Sequence, residues 1–298
     1  MKVLLTLLLT SILLVTTGCQ ETSEEVDSNE LKIVTSLSII ADMTEEIAGD
    51  KAEVNYIVPL GEEPEEYEPT PSDFQEISDA DVFFINGYNI EAWLEQVTEN
   101  VTDVDVIPIA EEGPKIPLEG TDDIPDPHLW LNPLHVRDYY VDKIVTTLKE
   151  LDSENSEYYQ EKADEYIEEL EELDKYIEEE TNKIPEDNRL IITSEHAFKY
   201  YGDRYGFDTN GIWELNAHEE GTPQQIANII DLVNESEVPA VFAESTVDPR
   251  YMENISDETG VELAKEVYTD AIGDEETNAD SYINMMKEST KVIVENLK

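Results

Sequence analysis

Basic residues are scarce in this 298-residue chain: 18 lysines and arginines stand against 72 aspartates and glutamates, a net charge of −54. A surface so poor in positive charge repels nucleic acid and anionic lipid headgroups, which excludes both as ligands. Self-repulsion of this size is unfavourable unless ions screen it, so the balance points to a salt-loving host or to a surface that concentrates cations. Cysteine occurs once, at Cys19, and no intramolecular disulfide can form. Histidine occurs four times, at His128, His135, His196 and His218. Long apolar runs are confined to residues 3–15, too few to span a bilayer comfortably. With 40% hydrophobic residues and 15 tyrosines, the remainder is not a disordered acidic tail.

The N-terminus reads as a targeting segment. Lys2, the apolar run and then Thr16-Thr17-Gly18-Cys19 make a charged start, a short hydrophobic core and a small-residue cleavage site. The expected division is a leader over 1–18, an acidic tether over 19–30, an α/β lobe over 31–152, a linking helix over 153–184 and a second α/β lobe over 185–298. Hydrophobic patterning predicts strands at 31–36 (LKIVTS), 52–59, 81–87 and 105–109, the last an edge strand because of Pro108. Helices are expected at 39–48, 71–80 and 90–97, then from Pro133 through Leu151. In the stretch 156–183, Tyr159, Ala163, Tyr166, Leu170, Leu173 and Ile177 recur at helical spacing with acidic residues on the other face. After it the alternation begins again: strands at 189–194, 210–216, 239–245 and 262–269, with helices at 197–205, 222–236, 249–259 and 279–297. The fold class is therefore α/β, two lobes with mainly parallel sheets joined by one long helix.

Ligands of open α/β sheets sit beyond the carboxyl ends of the strands. The metal-capable groups there are Glu65 and Glu66 after the second strand, His128 after the fourth, Glu195 after the fifth and Asp270 near the last. One imidazole with three carboxylates suits a first-row divalent metal, and the oxygen-rich set leans toward manganese. Taken singly, any of these carboxylates in so acidic a chain is more readily a solvated surface group than a ligand. His128 stands in D-P-H-L-W-L-N (126–132), held between Pro127 and Pro133. Its alternative role is packing on Trp130. His135 reads as structural or exposed, and His196 and His218 read as surface residues.

Several motifs in order carry a resemblance: G-E-E-P-E-E-Y-E-P (61–69), D-P-H-L-W-L-N (126–132), T-S-E-H-A-F-K-Y (193–200), W-E-L-N with E-E-G-T-P (213–223), A-E-S-T-V-D-P-R (243–250) and Y-T-D-A-I (268–272). The mature chain resembles the manganese/zinc-type solute-binding lipoproteins of bacterial ABC importers. That resemblance implies two lobes on a rigid helix, lipidation at Cys19, and metal ligands at His128, Glu195 and Asp270. Glutamate at 195 is typical of the family's manganese branch, and the His-rich loop frequent in the zinc branch is missing. The first ligand of the family is a histidine in D-P-H-x-Y-E-P; Glu65 occupies that place here.

The implied function is a monomeric extracytoplasmic receptor, lipid-anchored through Cys19. It captures a divalent ion, Mn²⁺ in preference to Zn²⁺ or Fe²⁺, and hands it to an ABC permease without catalysing a reaction. The alternatives are a metallohydrolase, whose metal would need an open coordination position, and a surface adhesin.

Overall fold

The structure is a computed structural model, and it describes residues 30–101, 103–121, 124–215 and 221–298. The leader, Cys19 and the tether up to residue 29 lie outside the described residues, as does His218. Residues Leu31–Lys298 form one compact unit, within which two sheets are built on the same plan.

The first sheet holds β1 (Leu31–Thr35), β2 (Ala52–Tyr56), β3 (Val82–Ile85) and β4 (Asp105–Pro108) in the order β2-β1-β3-β4, all parallel. Strand β3 (VFFI) is buried along its whole length, as an apolar run in the middle of a parallel sheet must be. Helices α1 (Ser38–Ala48), α2 (Pro71–Ser78) and α3 (Leu94–Asn100) accompany these strands. Helix α2 starts at a capping box in which Thr70 and Asp73 satisfy each other's backbone amides.

Helix α3 begins later than the apolar pattern at 90–97 suggests. Tyr88 and Asn89 adopt positive φ (56° and 67°). Glu91 turns inward, accepting the amides of Asn86 (2.6 Å) and Gly87 (3.0 Å) at the end of β3. A buried acceptor for strand-end donors takes precedence over one more helical turn.

The expected helix from Pro133 to Leu151 is three pieces: α4 (Pro133–His135), a π-helical stretch (Val136–Tyr140) and α5 (Val141–Leu151). The π stretch carries Tyr140, whose hydroxyl donates to Asn86 Oδ1 (2.6 Å). Helix α6 (Ser156–Thr181) is 26 residues long, about 39 Å at 1.5 Å per residue. The six residues of its apolar stripe are all buried, and the helix packs with α1, α5 and α10 (Tyr282–Leu297).

The second sheet contains β5 (Leu190–Glu195), β6 (Asp208–Trp213), β7 (Ala240–Val241) and β8 (Glu262–Leu263), with α7 (Lys199–Tyr205), α8 (Pro223–Ser236) and α9 (Arg250–Thr259). Ladders β5–β6 and β7–β8 are parallel. The Phe242 amide donates to the Ile192 carbonyl (3.0 Å) and joins them, giving the order β6-β5-β7-β8 and repeating the first sheet. The strand expected over 262–269 is shorter because of a bulge. Amides of Ala264 and Val267 bond the carbonyls of Val241 and Ala243, three residues spanning two. Gly211 in β6 is required by close approach, since a Cβ there would meet the backbone of Glu195 and His196. Among the described residues, no helix is long and apolar enough to cross a membrane.

Candidate metal centre

The four residues singled out at strand ends come together. His128 Nε2 lies 3.3 Å from both Glu195 Oε1 and Asp270 Oδ1. Single ligand atoms of Glu65, His128 and Glu195 lie within 4.8 Å of one another. Glu65 is 9% exposed, His128 0%, Glu195 1% and Asp270 3%, so water cannot solvate their charges. Glu66, the other carboxylate after the second strand, is exposed.

Each side chain is held so that one atom remains available. The Oδ1 of Asp126 accepts both the backbone amide (3.0 Å) and Nδ1 (2.9 Å) of His128, which fixes the ring and leaves Nε2 inward. The indole of Trp130 stands edge-on to the imidazole, centroids 5.2 Å apart, and donates to the Thr269 carbonyl (2.7 Å). The Tyr282 hydroxyl in turn donates to the Trp130 carbonyl (2.7 Å). His128 therefore packs on Trp130 and faces the carboxylates as well. Glu195 is the last residue of β5 rather than a residue beyond it. The buried Glu244 carboxylate accepts the amides of Ser194 (2.7 Å) and Glu195 (3.3 Å). Asp270 Oδ2 accepts the hydroxyls of Thr269 (2.9 Å) and Thr246 (3.2 Å), leaving Oδ1 to the centre. Glu65 sits in the proline-flanked stretch 61–69, tied by Trp93 Nε1 donating to the Pro64 carbonyl (3.0 Å).

The result is four buried atoms without a hydrogen-bond partner: Glu65 Oε1, His128 Nε2, Glu195 Oε1 and Asp270 Oδ1. Buried polar atoms are normally paired, and orphans that converge mark a place for an ion. The same burial and crowding shift the proton affinities of these groups. Burial pushes the Glu65 carboxyl well above the usual range, and Glu195 and Asp270 push it further. Burial raises Glu195 to about 7, although His128 works against it. Burial alone would lower the imidazole of His128, but Asp126, with Asp270 and Glu195, outweighs it and the net shift is upward. A divalent cation held here would face one nitrogen and carboxylate oxygens and would compete with protons for them.

Sequence reading missed the residues behind the four. Asp126 was visible two places before His128; Lys199, Glu244 and Thr246 carried no signal of burial. His196 is a correction to the surface reading. Its side chain is only 12% exposed, with Nδ1 2.7 Å from Glu214 Oε1 and Nε2 2.8 Å from Thr209 Oγ1. Glu119, His196 and Glu214 form a second group of potential donors. Its central carboxylate, Glu214, is already taken by Lys199 and by the Glu119 amide (2.6 Å). His135 is structural: its ring stands edge-on to Tyr200, and burial lowers its pKa.

The chain is 47% identical over 298 residues to the manganese-binding lipoprotein MntA of Halalkalibacterium halodurans, with 99% of each chain covered. It is 39% identical over 304 residues to the manganese ABC transporter substrate-binding lipoprotein PsaA of Streptococcus pneumoniae, covering 99% of this chain and 97% of that one. Among solved structures, the periplasmic zinc-binding protein TroA of Treponema pallidum superposes with a TM-score of 0.85 at 24% identity, over 90% of this chain and 99% of that one. A Mn-bound S38A mutant of a periplasmic metal-binding protein from Candidatus Liberibacter asiaticus gives 0.83 at 25% identity, over 90% and 100%. The family model described as ZnuA, zinc-uptake complex component A, periplasmic, matches residues 33–296. This chain belongs to the ZnuA family of metal-binding solute receptors.

Proposed function

We propose that the protein is an extracytoplasmic receptor that captures Mn²⁺ and passes it to an ABC permease. In this reading residues 1–18 are a leader, Cys19 carries the lipid anchor, and 19–30 tether the folded unit to the membrane. Residues 31–152 and 185–298 are the two lobes on the helix 153–184. The cargo ion is bound by His128, Glu195, Asp270 and Glu65. The convergence of four buried, unpartnered donor atoms from four separate segments carries the assignment.

The family description names zinc, whereas the two similar lipoproteins described above are named for manganese. The donor set favours the second. Three carboxylates and one imidazole are harder than a site rich in histidine, and hard oxygen donors suit Mn²⁺. All four donors are protein atoms converging on the ion, which fits binding and release better than the open position a hydrolytic metal needs. The net charge of −54 fits a surface that gathers cations or one adapted to high salt; unfolding followed across salt concentrations separates the two, since only salt adaptation requires ions for stability.

Competitive titration of Mn²⁺ and Zn²⁺ tests the assignment. Raw affinity follows the Irving–Williams order, so the informative quantity is the change in the ratio between variants. Glu65→His should move the ratio toward Zn²⁺ by at least about tenfold. An unchanged ratio together with unchanged affinity in Glu65→Ala would remove Glu65 from the ligand set.

A further inference from the structure

Behind His128 lies a chain of charges that crosses from one sheet system to the other. Asp126 is fully buried, and its Oδ1 is committed twice to His128. Its Oδ2 has no hydrogen-bonding group, and the charge that faces it is Lys199 Nζ at 3.1 Å. The Lys199 side chain is 8% exposed, an uncommon burial for lysine unless it is paired. Its ammonium reaches on to Glu214 at the end of β6, and Glu214 is fixed by His196 and by the Glu119 amide. Next to Lys199 on α7, the Tyr200 hydroxyl takes the Ile116 amide and lies 3.1 Å from the carbonyls of Pro114 and Asp126. Two successive residues of α7 thus grip the stretch that leads into His128.

We propose that Lys199 is a positioning residue for metal capture, the buried counter-charge that holds the Asp126 carboxylate in place and through it aims His128 Nε2 at the ion. This rests on the receptor reading given above. A carboxylate that orients a ligating imidazole is useful only while its own direction is fixed. Asp126 and Glu195 are both buried, and their negative charges repel each other. Without the ammonium, the two bonds from His128 still hold Oδ1, but Oδ2 is left buried with no partner of either kind and the carboxylate loses its restraint on that side. A cation at the metal position adds attraction toward the centre and cannot replace the pull of Lys199 from behind. The ordinary alternative is an ion pair that joins α7 to the 114–127 stretch and contributes only to stability.

Mn²⁺ affinity measured in a double-mutant cycle on the full chain separates the two roles. Lys199→Met should weaken Mn²⁺ binding by about 10- to 100-fold, the usual loss when a partner behind a metal ligand is removed. Lys199→Arg should recover most of it. In an Asp126→Asn background the same Lys199→Met change should cost less than about threefold, because the residue it acts through has gone. With Co²⁺ as probe, the ligand-field absorption should shift in Lys199→Met and return in Lys199→Arg. Equal losses in both backgrounds, or wild-type affinity in folded Lys199→Met, would overturn the proposal. If Lys199→Met does not fold, Lys199→Gln enters the same cycle with the same criteria. His128→Ala, run alongside, distinguishes the levels: wild-type affinity there defeats the receptor site itself, whereas its loss with an unaffected Lys199→Met defeats only the role of Lys199.

Discussion

His128 and Glu65 both reach the centre from the first sheet, yet they are held differently. Around His128, Asp126 bonds the ring and its amide, Asn86 Nδ2 donates to the Pro127 carbonyl (3.1 Å), Trp130 donates to Thr269, and Tyr282 donates to Trp130. Around Glu65 the ties include Trp93 to Pro64, Tyr67 to Asp73 (2.8 Å) and the Glu62 amide to the Pro59 carbonyl (3.2 Å). Glu65 is also the most exposed of the four ligand candidates. The position that departs from the family's motif is the one nearest the surface. Donor chemistry can change at the edge of such a centre while its frame remains intact.

Removing each ligand candidate is the most direct way to break that comparison. His128→Ala should lower Mn²⁺ affinity by more than about 100-fold, above the range seen for outer partners. Glu65→Ala should lower it by about tenfold, since water can enter at the rim and fill the vacant position. Calorimetric titration of both variants checks the ordering, and equal losses would erase the distinction between frame and rim.

Next in size is the effect of pH. Metal requires ionised carboxylates and a neutral imidazole, whereas Glu195 holds its proton up to about 7 and Glu65 and His128 are also shifted upward. Affinity should therefore be greatest above pH 7 and decline as pH falls through 7, by about tenfold per unit for each proton displaced. Titrations in two buffers of different ionisation enthalpy count the protons released. The count should fall by about one in Glu65→Ala; no change would mean that Glu65 binds no displaceable proton.

The smallest expected effect concerns the tie itself. Trp93→Phe removes the donor to the Pro64 carbonyl, a bond worth about 1 kcal/mol, and should weaken Mn²⁺ binding about threefold to fivefold. Asn86→Ala in the frame offers the contrast, because it strips partners from both Pro127 and Tyr140. A greater loss in Trp93→Phe than in Asn86→Ala would reverse the proposed order of restraint.

Much of this was legible in the sequence where chemistry repeats along the chain. The α6 stripe was readable because a long half-buried helix writes its period into the residues, and all six named positions are buried. Parallel strands with helices between them announced both sheets, and residues at strand ends pointed to the centre. Interactions across long separations were not readable. The pairing of Lys199 with Asp126 spans 73 positions, and a lysine in so acidic a chain has dozens of nearer partners. The bulge before Val267 and the inward turn of Glu91 likewise depend on which amides a folded neighbour leaves open.

The edge-on contact of Trp130 with His128 also gives the molecule an optical consequence. A protonated imidazole quenches a neighbouring indole more strongly than a neutral one. Exchange of that proton for a closed-shell ion should therefore brighten Trp130, whereas paramagnetic Mn²⁺ should darken it. One of the chain's three tryptophans would thus report what the centre holds.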